Sequence, residues 1–178
     1  MSPQQVFSVA NAVALLAWIM LAVLPGQPWV TKMIATKVVP SLLAVLYTAI
    51  VVSLFGRTPG GFSTLADIGM LFSNPWLLLA GWVHYLAFDL LVGSWELQDA
   101  REHGIPHWAV VPCLALTFLF GPAGWLLYTV LRSIRRTGSH ESLRKGHNMF
   151  PFFVLLGSTF ISAVLGAGFP GAFPFVAR

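Results

Sequence analysis

Long runs of apolar residues, separated by short breaks rich in proline, glycine and charged residues, dominate the chain. A helix that crosses a bilayer needs about 20 mostly apolar residues. The runs do not alternate between apolar and polar positions, which excludes membrane β-strands. They predict an all-α membrane bundle, a four-helix core plus a fifth helix, forming one transmembrane domain over residues 1–178. The predicted spans are Val6–Leu24, Lys37–Phe55, Trp76–Leu97, Trp108–Leu131 and Met149–Gly166.

The breaks between these runs carry helix-start and helix-stop residues. Asn74 and Pro75 open the third span, as expected for a capping residue followed by proline. Pro122 lies inside the fourth span, where it removes a backbone hydrogen bond and predicts a kink. The segment Thr64–Phe72 predicts a short helix at the membrane interface.

Basic residues concentrate in one segment, the linker Arg132–His147. By the positive-inside rule this linker is predicted to lie on the inner side of the membrane. Counting spans from it places the N-terminus inside, the C-terminus outside and the loop Gln98–His107 outside. The predicted location is an integral-membrane one, the inner membrane of a bacterium or a plastid membrane of a plant or alga.

The composition agrees with a membrane protein. Hydrophobic residues make up 57% of the chain and charged residues only 9%, whereas soluble domains carry about 25% charged residues. The net charge of +4 is small, and it indicates membrane topology rather than nucleic-acid binding. Cys113 is the single cysteine, so no intrachain disulfide forms.

Asp89 stands near the centre of the third apolar run. A carboxylate at that depth costs at least about 2.5–3.5 kcal/mol on insertion scales. One interpretation is structural, with Asp89 hydrogen-bonded to Asn11, Tyr47, Tyr128 or Thr117 on neighbouring helices. The other is functional, and it is favoured because ionisable residues inside a membrane usually mark a site.

Helical spacing gives Asp89 its neighbours. Tyr85, Gly93 and Glu96 share its face, whereas His84 points about 140° away. Glu96 is about 10.5 Å from Asp89 along the axis, so the two carboxyl groups cannot ligate one ion without further ligands. The predicted catalytic residues are Asp89, Glu96, Tyr85 and His84. The predicted substrate-binding residues are Asn11, Trp82, Phe88, Gly93, Phe120 and Trp125.

No motif in the chain points to a metal or a cofactor. The histidines and acidic residues lack the spacing of a zinc or di-iron site, and no phosphate loop, dinucleotide fingerprint or nucleophile elbow is present. We therefore expect no metal and no cofactor.

Two segments together resemble a known family. The stretch from His84 to Gly93, followed by Asp99 and by Phe120-Gly121-Pro122-Ala123-Gly124, is similar to the abscisic-acid-deficient-4-like membrane proteins, whose plant members are associated with neoxanthin synthesis. The resemblance covers most of residues 5–135, and the C-terminal helix extends beyond it. It implies isomerisation of violaxanthin, in which an epoxide opens and an allene forms without exchange of electrons.

That reaction needs an acid for the epoxide oxygen and a base for a carbon-bound proton. Asp89 and Glu96, assisted by Tyr85 or His84, match these roles by residue type. The predicted function is a cofactor-free acid/base isomerisation of a carotenoid or isoprenoid in the membrane. The alternatives are a small proton-coupled transporter and a non-catalytic scaffold that binds a carotenoid or a partner. The expected partners are a lipophilic small molecule and the bilayer, without nucleic acid; a homo-oligomer is left open.

Overall fold

The computed structural model describes residues 1–54 and 56–136, and this part of the chain is all-helical, as predicted. One π-helix, Val30–Val38, continues directly into α2. The six α-helices are α1 Pro3–Val23, α2 Val39–Leu54, α3 Leu65–Phe72, α4 Pro75–Glu102, α5 His107–Phe120 and α6 Pro122–Arg136.

Polar side chains cap three of these helices at their N-termini. Ser2 accepts from the Gln5 backbone N–H while the Gln5 side chain accepts from the Ser2 N–H, a reciprocal capping box before α1. Thr64 caps α3 by accepting from the Asp67 backbone N–H, and its hydroxyl donates to the Asp67 carboxylate. Asn74 accepts from the Trp76 N–H at 2.9 Å, and this bond fixes the start of α4.

Among the described residues, three helical stretches are long and apolar enough to cross a membrane: α1, the joined helix Val30–Leu54, and α4. Contacts along α4 set their directions. Asn11 lies beside Trp82 and Trp18 beside Gly93, so α1 runs parallel to α4. The joined helix runs antiparallel to α4, with Ser94 donating to the Ala35 carbonyl at one end and Tyr47 beside His84 towards the other.

The second and third spans are longer than predicted. The second begins at Val30 instead of Lys37, because Lys32 and Lys37 keep exposed side chains while the backbone remains helical. The third continues to Glu102 instead of Leu97. Its polar last turns are stable because α6 provides partners for Asp99, a residue that is only 8% exposed.

The predicted single span Trp108–Leu131 is wrong. The chain reverses at Gly121, whose φ is +41°, and α5 and α6 form an antiparallel helical hairpin. Gly124 packs against the Thr117 backbone so closely that a Cβ at Gly124 would overlap the Thr117 nitrogen. In a continuous helix these residues would be about 10.5 Å apart along the axis. Pro122 therefore starts a new helix after a reversal and does not merely kink one.

The hairpin returns α6 to the end of α4 from which α5 departs. Its turn lies at Asp89, and Arg132 near its end forms an ion pair with Asp99 at 2.7 Å. Arg132 therefore lies at the same end as the loop Gln98–His107, and the prediction that places them on opposite sides is wrong. The N-terminal orientation, which was counted through that crossing, stays a prediction.

Large apolar side chains face away from the bundle along several helices. Leu16 on α1, Leu42 and Val52 on α2, and Ile134 on α6 are each more than half exposed. Such a surface is suited to lipid rather than water, because soluble proteins rarely expose large contiguous apolar patches. The predicted short helix Thr64–Phe72 is confirmed as α3, Leu65–Phe72. The predicted fifth span, Met149–Gly166, lies outside the described residues.

Candidate functional site

The carboxyl group of Asp89 packs against the turn between α5 and α6. A Cβ added at Gly121 would lie 2.8 Å from Asp89 Oδ1 and 3.0 Å from Oδ2. The positive φ of Gly121 also favours glycine at this position. A break in helical backbone at membrane depth is tolerated where protein covers it, and here it forms one wall around the Asp89 carboxyl.

Asp89 has incomplete hydrogen bonding. Its Oδ2 atom is buried and has no hydrogen-bond partner among the described residues. The Tyr85 hydroxyl, one helical turn away, lies close enough to interact with the carboxyl group, and it donates to the Phe118 carbonyl at 2.9 Å. The Tyr85 side chain thus ties α4 to the end of α5 beside Asp89.

The four residues predicted as structural partners of Asp89 bind elsewhere. Asn11 accepts from the Trp82 indole N–H, and the Tyr47 ring lies against His84. The Thr117 and Tyr128 hydroxyls donate to two other carboxyl groups, those of Glu96 and Asp99. The prediction of a simple hydrogen-bonded partner for Asp89 is therefore wrong for all four.

Glu96 is fully buried beneath the hairpin. Thr117 donates to Glu96 Oε1 at 2.9 Å, whereas Oε2 is buried without a hydrogen-bond partner. The close approach of Gly124 to Thr117 brings α6 over this pair. Glu96 and Asp89 are close enough to influence each other electrostatically. Because no part of Glu96 reaches the molecular surface, it is separated from any ligand that binds at the surface.

His84 lies on a different face of α4 from Asp89, as its spacing predicts. Its ring stacks on Phe88 with 4.5 Å between the centroids and lies 5.6 Å from the Tyr47 ring. The three rings form a small aromatic group between α2 and α4. The structure thus separates His84 from the other three predicted catalytic residues, which share one face.

An apolar groove of about 560 Å³ lies where α1, α3 and α4 meet. The indole of Trp82 stands in its wall, held by the bond from its N–H to Asn11 at 2.9 Å. Phe7 on one side and Tyr85 on the other pack against that indole, with ring centroids 5.7 and 5.3 Å away. The groove is lined by Pro3, Gln4, Phe7, Phe72, Pro75, Leu78, Leu79, Gly81, Trp82 and Tyr85.

The groove ends near the Asp89 carboxyl group. Tyr85 belongs to its lining, and Asp89 follows one turn later, about 6 Å along the axis of α4. Asp89 itself does not line the groove. The arrangement places a tyrosine between an aromatic groove and a buried carboxyl group.

The predicted substrate-binding residues do not form one group. Trp82 lines the groove, and Asn11 positions it. Gly93 is covered by the Trp18 ring, which a Cβ at Gly93 would overlap. The remaining three are exposed side chains outside the groove lining: Phe88, Phe120 and Trp125.

Sequence reasoning missed several residues of the groove and of the turn beside Asp89. Phe7 precedes Asn11 by four positions on α1, so helical spacing alone indicates that they share a face. Gly121 was visible in the sequence as a helix breaker, but nothing local indicates that its turn meets Asp89. Phe72 and Gly81 carry no such signal, since they join the groove only through the packing of α3 on α4.

A second polar group joins the ends of α4 and α6. The Tyr128 hydroxyl donates to Asp99 Oδ2 at 2.6 Å, and Arg132 Nε lies 2.7 Å from the same oxygen. His103 Nδ1 lies 3.5 Å from it, and His103 Nε2 is 3.1 Å from the Arg132 guanidinium. Within residues 1–54 and 56–136, no three His, Cys, Asp or Glu side chains are grouped to hold a metal ion.

Comparison with known proteins supports the resemblance seen in the sequence. No curated protein and no solved structure matches the chain. The family model described as ABA DEFICIENT 4-like matches residues 5–128, a stretch that contains most of the groove lining, Asp89, the hairpin turn and Tyr128. This family is associated with neoxanthin and carotenoid-related function. The chain belongs to the ABA DEFICIENT 4-like family.

Proposed function

We propose that this membrane protein binds a carotenoid or related isoprenoid in the groove and isomerises it by acid/base chemistry. The observation that carries the proposal is the Asp89 carboxyl group. It has a buried, unpartnered oxygen and lies one helical turn from Tyr85 at the end of an aromatic groove. Ionisable groups kept at this depth usually mark a site.

The groove suits one end of a long apolar molecule. Its volume of about 560 Å³ falls within the roughly 300–1,000 Å³ of small-molecule sites. The rings of Phe7, Phe72 and Trp82 offer flat apolar surfaces to a cyclic end group or a polyene. The few polar groups lie at the margins, which is the pattern of a site that binds mainly by apolar contact and orients its ligand through a few polar atoms.

The chemistry requires one proton donor and one proton acceptor. A protonated Asp89 donates its proton to the epoxide oxygen, and the carbon–oxygen bond breaks. The resulting Asp89 carboxylate then removes the carbon-bound proton, and the electrons of that C–H bond form the new double bond. The net change is an isomerisation in which Asp89 returns to its starting state and no electrons are lost or gained.

A single carboxyl group suits this geometry better than the predicted pair. Glu96 is fully buried beneath Thr117, so it does not reach a ligand in the groove. His84 lies on another face with Tyr47 and Phe88. In this proposal the reacting end of the substrate extends from the groove past Tyr85 to Asp89, which is the catalytic residue, and Tyr85 orients the substrate at this boundary.

Expression in a host that accumulates several epoxy-carotenoids tests the proposal. Wild type should produce a pigment of unchanged mass and altered retention on chromatography, and Asp89→Asn should abolish it at equal protein level. Glu102→Gln is the matched control, because it removes an exposed carboxyl group from the same helix. An unchanged pigment profile with folded wild-type protein would contradict the proposed reaction.

A further inference from the structure

Three acidic residues of α4 and the histidine that directly follows this helix form a line along one side of it. Asp89, Glu96, Asp99 and His103 are separated by seven, three and four residues, spacings that keep them within about 80° of one another around the helix. The α5–α6 hairpin covers this face from its turn at Asp89 to Arg132 beside Asp99. We call these four residues the carboxyl line.

The half of the carboxyl line that lies deeper in the bundle, Asp89 and Glu96, is short of hydrogen bonds. Asp89 Oδ2 and Glu96 Oε2 are both buried without a hydrogen-bond partner in the part of the chain that the structure describes, and Glu96 has no exposed surface. An unsatisfied buried polar atom destabilises the folded protein, and more so if it is charged. A carboxylic acid is far cheaper to bury than an unpaired carboxylate, and a bridging water also satisfies such atoms. A protonated carboxyl group and a bridging water each provide a transferable proton between Asp89 and Glu96.

The other half of the carboxyl line, Asp99 and His103, lies at the end of the bundle and is partly exposed. Asp99 is almost buried, but His103 beside it has a side chain 28% exposed. Arg132 pairs with Asp99 and also lies 3.1 Å from His103. His103 Nδ1 lies 2.8 Å from the Asp99 backbone oxygen and 3.5 Å from the Asp99 carboxyl group, so the partly exposed imidazole directly borders this carboxyl group.

Tyr128 lies between the two parts. Its side chain is fully buried and its hydroxyl donates to Asp99 at 2.6 Å. The ring lies edge-on to Trp95, with 5.6 Å between the ring centroids. On α6, Tyr128 follows Gly124 by one helical turn, and Gly124 packs on Thr117, the hydrogen-bond partner of Glu96. A hydroxyl both donates and accepts, so it can pass a proton from one neighbour to another.

We propose that the carboxyl line, together with Tyr128, is a proton path between Asp89 and the end of the bundle that carries Arg132. Each transfer breaks one O–H or N–H bond and forms another, and no electrons move. Chains of Asp, Glu and His in membrane helices commonly serve as proton relays. In the proposed reaction the path would set the protonation of Asp89, but it does not depend on that reaction.

Infrared spectroscopy of the full chain in lipid tests the path without any substrate. Protonated carboxyl bands should be present, and Asp89→Asn or Glu96→Gln should each remove intensity. After transfer to heavy water, Tyr128→Phe should slow the exchange of these bands about tenfold or more, the kinetic equivalent of one charged hydrogen bond. Tyr128→Phe keeps the buried ring, and Glu102→Gln is the matched control that should leave the rate unchanged.

The same experiment can overturn the path. Equal exchange rates in wild type and Tyr128→Phe would do so, as would the absence of any band that depends on Asp89 or Glu96. Should Tyr128→Phe fail to fold, His103→Gln replaces it, since His103 is partly exposed and its loss should slow exchange in the same way. Pigment conversion is measured separately, so loss of the path and loss of the proposed function are distinguishable.

Discussion

Substitution of Gly124 by alanine distinguishes the observed hairpin from a continuous kinked helix. In the hairpin, the added Cβ overlaps the backbone nitrogen and Oγ1 of Thr117. Backbone cannot rotate away as a side chain can, so α5 and α6 must separate locally. That movement also weakens the hydrogen bond from Thr117 to Glu96.

The expected change in the free energy of unfolding follows from three contributions. Alanine gains up to about 1 kcal/mol over glycine in a helix. Overpacking costs about 1–3 kcal/mol, and loss of a hydrogen bond to a carboxyl group costs about 1.5–3 kcal/mol if that group is charged. Gly124→Ala should therefore destabilise the protein by about 1.5–5 kcal/mol.

Equilibrium unfolding in detergent micelles measures this change. Gly69→Ala in α3 is the matched control, because a Cβ there meets no atom within 4 Å. It should be neutral or stabilising by up to about 1 kcal/mol. If Gly124→Ala also proved neutral or stabilising, residues 117 and 124 would not touch and the hairpin would be refuted.

Two further predictions concern the groove and the membrane topology. Leu78→Trp, which fills the groove, should reduce pigment conversion about tenfold or more, equivalent to 1.4 kcal/mol of binding. Leu42→Trp on the exposed face of α2 should leave conversion unchanged. Equal activity of the two variants would exclude the groove as the substrate site. Single cysteines in place of Glu102 and Arg135 should react with an impermeant thiol reagent from the same side of the membrane. A cysteine in place of Ser2 should react from the opposite side. Labelling of positions 102 and 135 from opposite sides would contradict the hairpin.

The hairpin also changes how the positive-inside rule applies. Lys32 and Arg101 lie at the same end of the bundle as Arg132, since Arg101 contacts Thr31 next to Lys32. If this basic end faces inward, the N-terminus faces outward, the reverse of the orientation counted from five simple crossings. The thiol-labelling experiment reports this orientation as well when it is carried out in intact cells.

Local sequence was sufficient for the long spans and insufficient for the hairpin. The apolar run from Val6 predicts α1 within a few residues, because length and composition decide a membrane helix. The sequence Phe120-Gly121-Pro122 shows only that a helix is interrupted. Whether the chain kinks or reverses depends on the contact between Gly124 and Thr117, which is tertiary.

The candidate site was also only partly predictable from the local sequence. The spacing of Tyr85, Asp89 and Glu96 correctly separates them from His84, because helical periodicity is local information. The partners of each carboxyl group were not predictable, since they come from the hairpin. Thr117 binds Glu96 and not Asp89, because α5 folds back along α4 at that level.

In the proposed function, Asp89 isomerises an epoxy-carotenoid without any added cofactor. Purified protein in lipid vesicles, supplied with an epoxy-carotenoid alone, tests this reaction by mass spectrometry and chromatography of the products. Wild type and Glu102→Gln should each give an allenic product of identical mass, and Asp89→Asn should give none. A product of altered mass, or full conversion by Asp89→Asn, would contradict it.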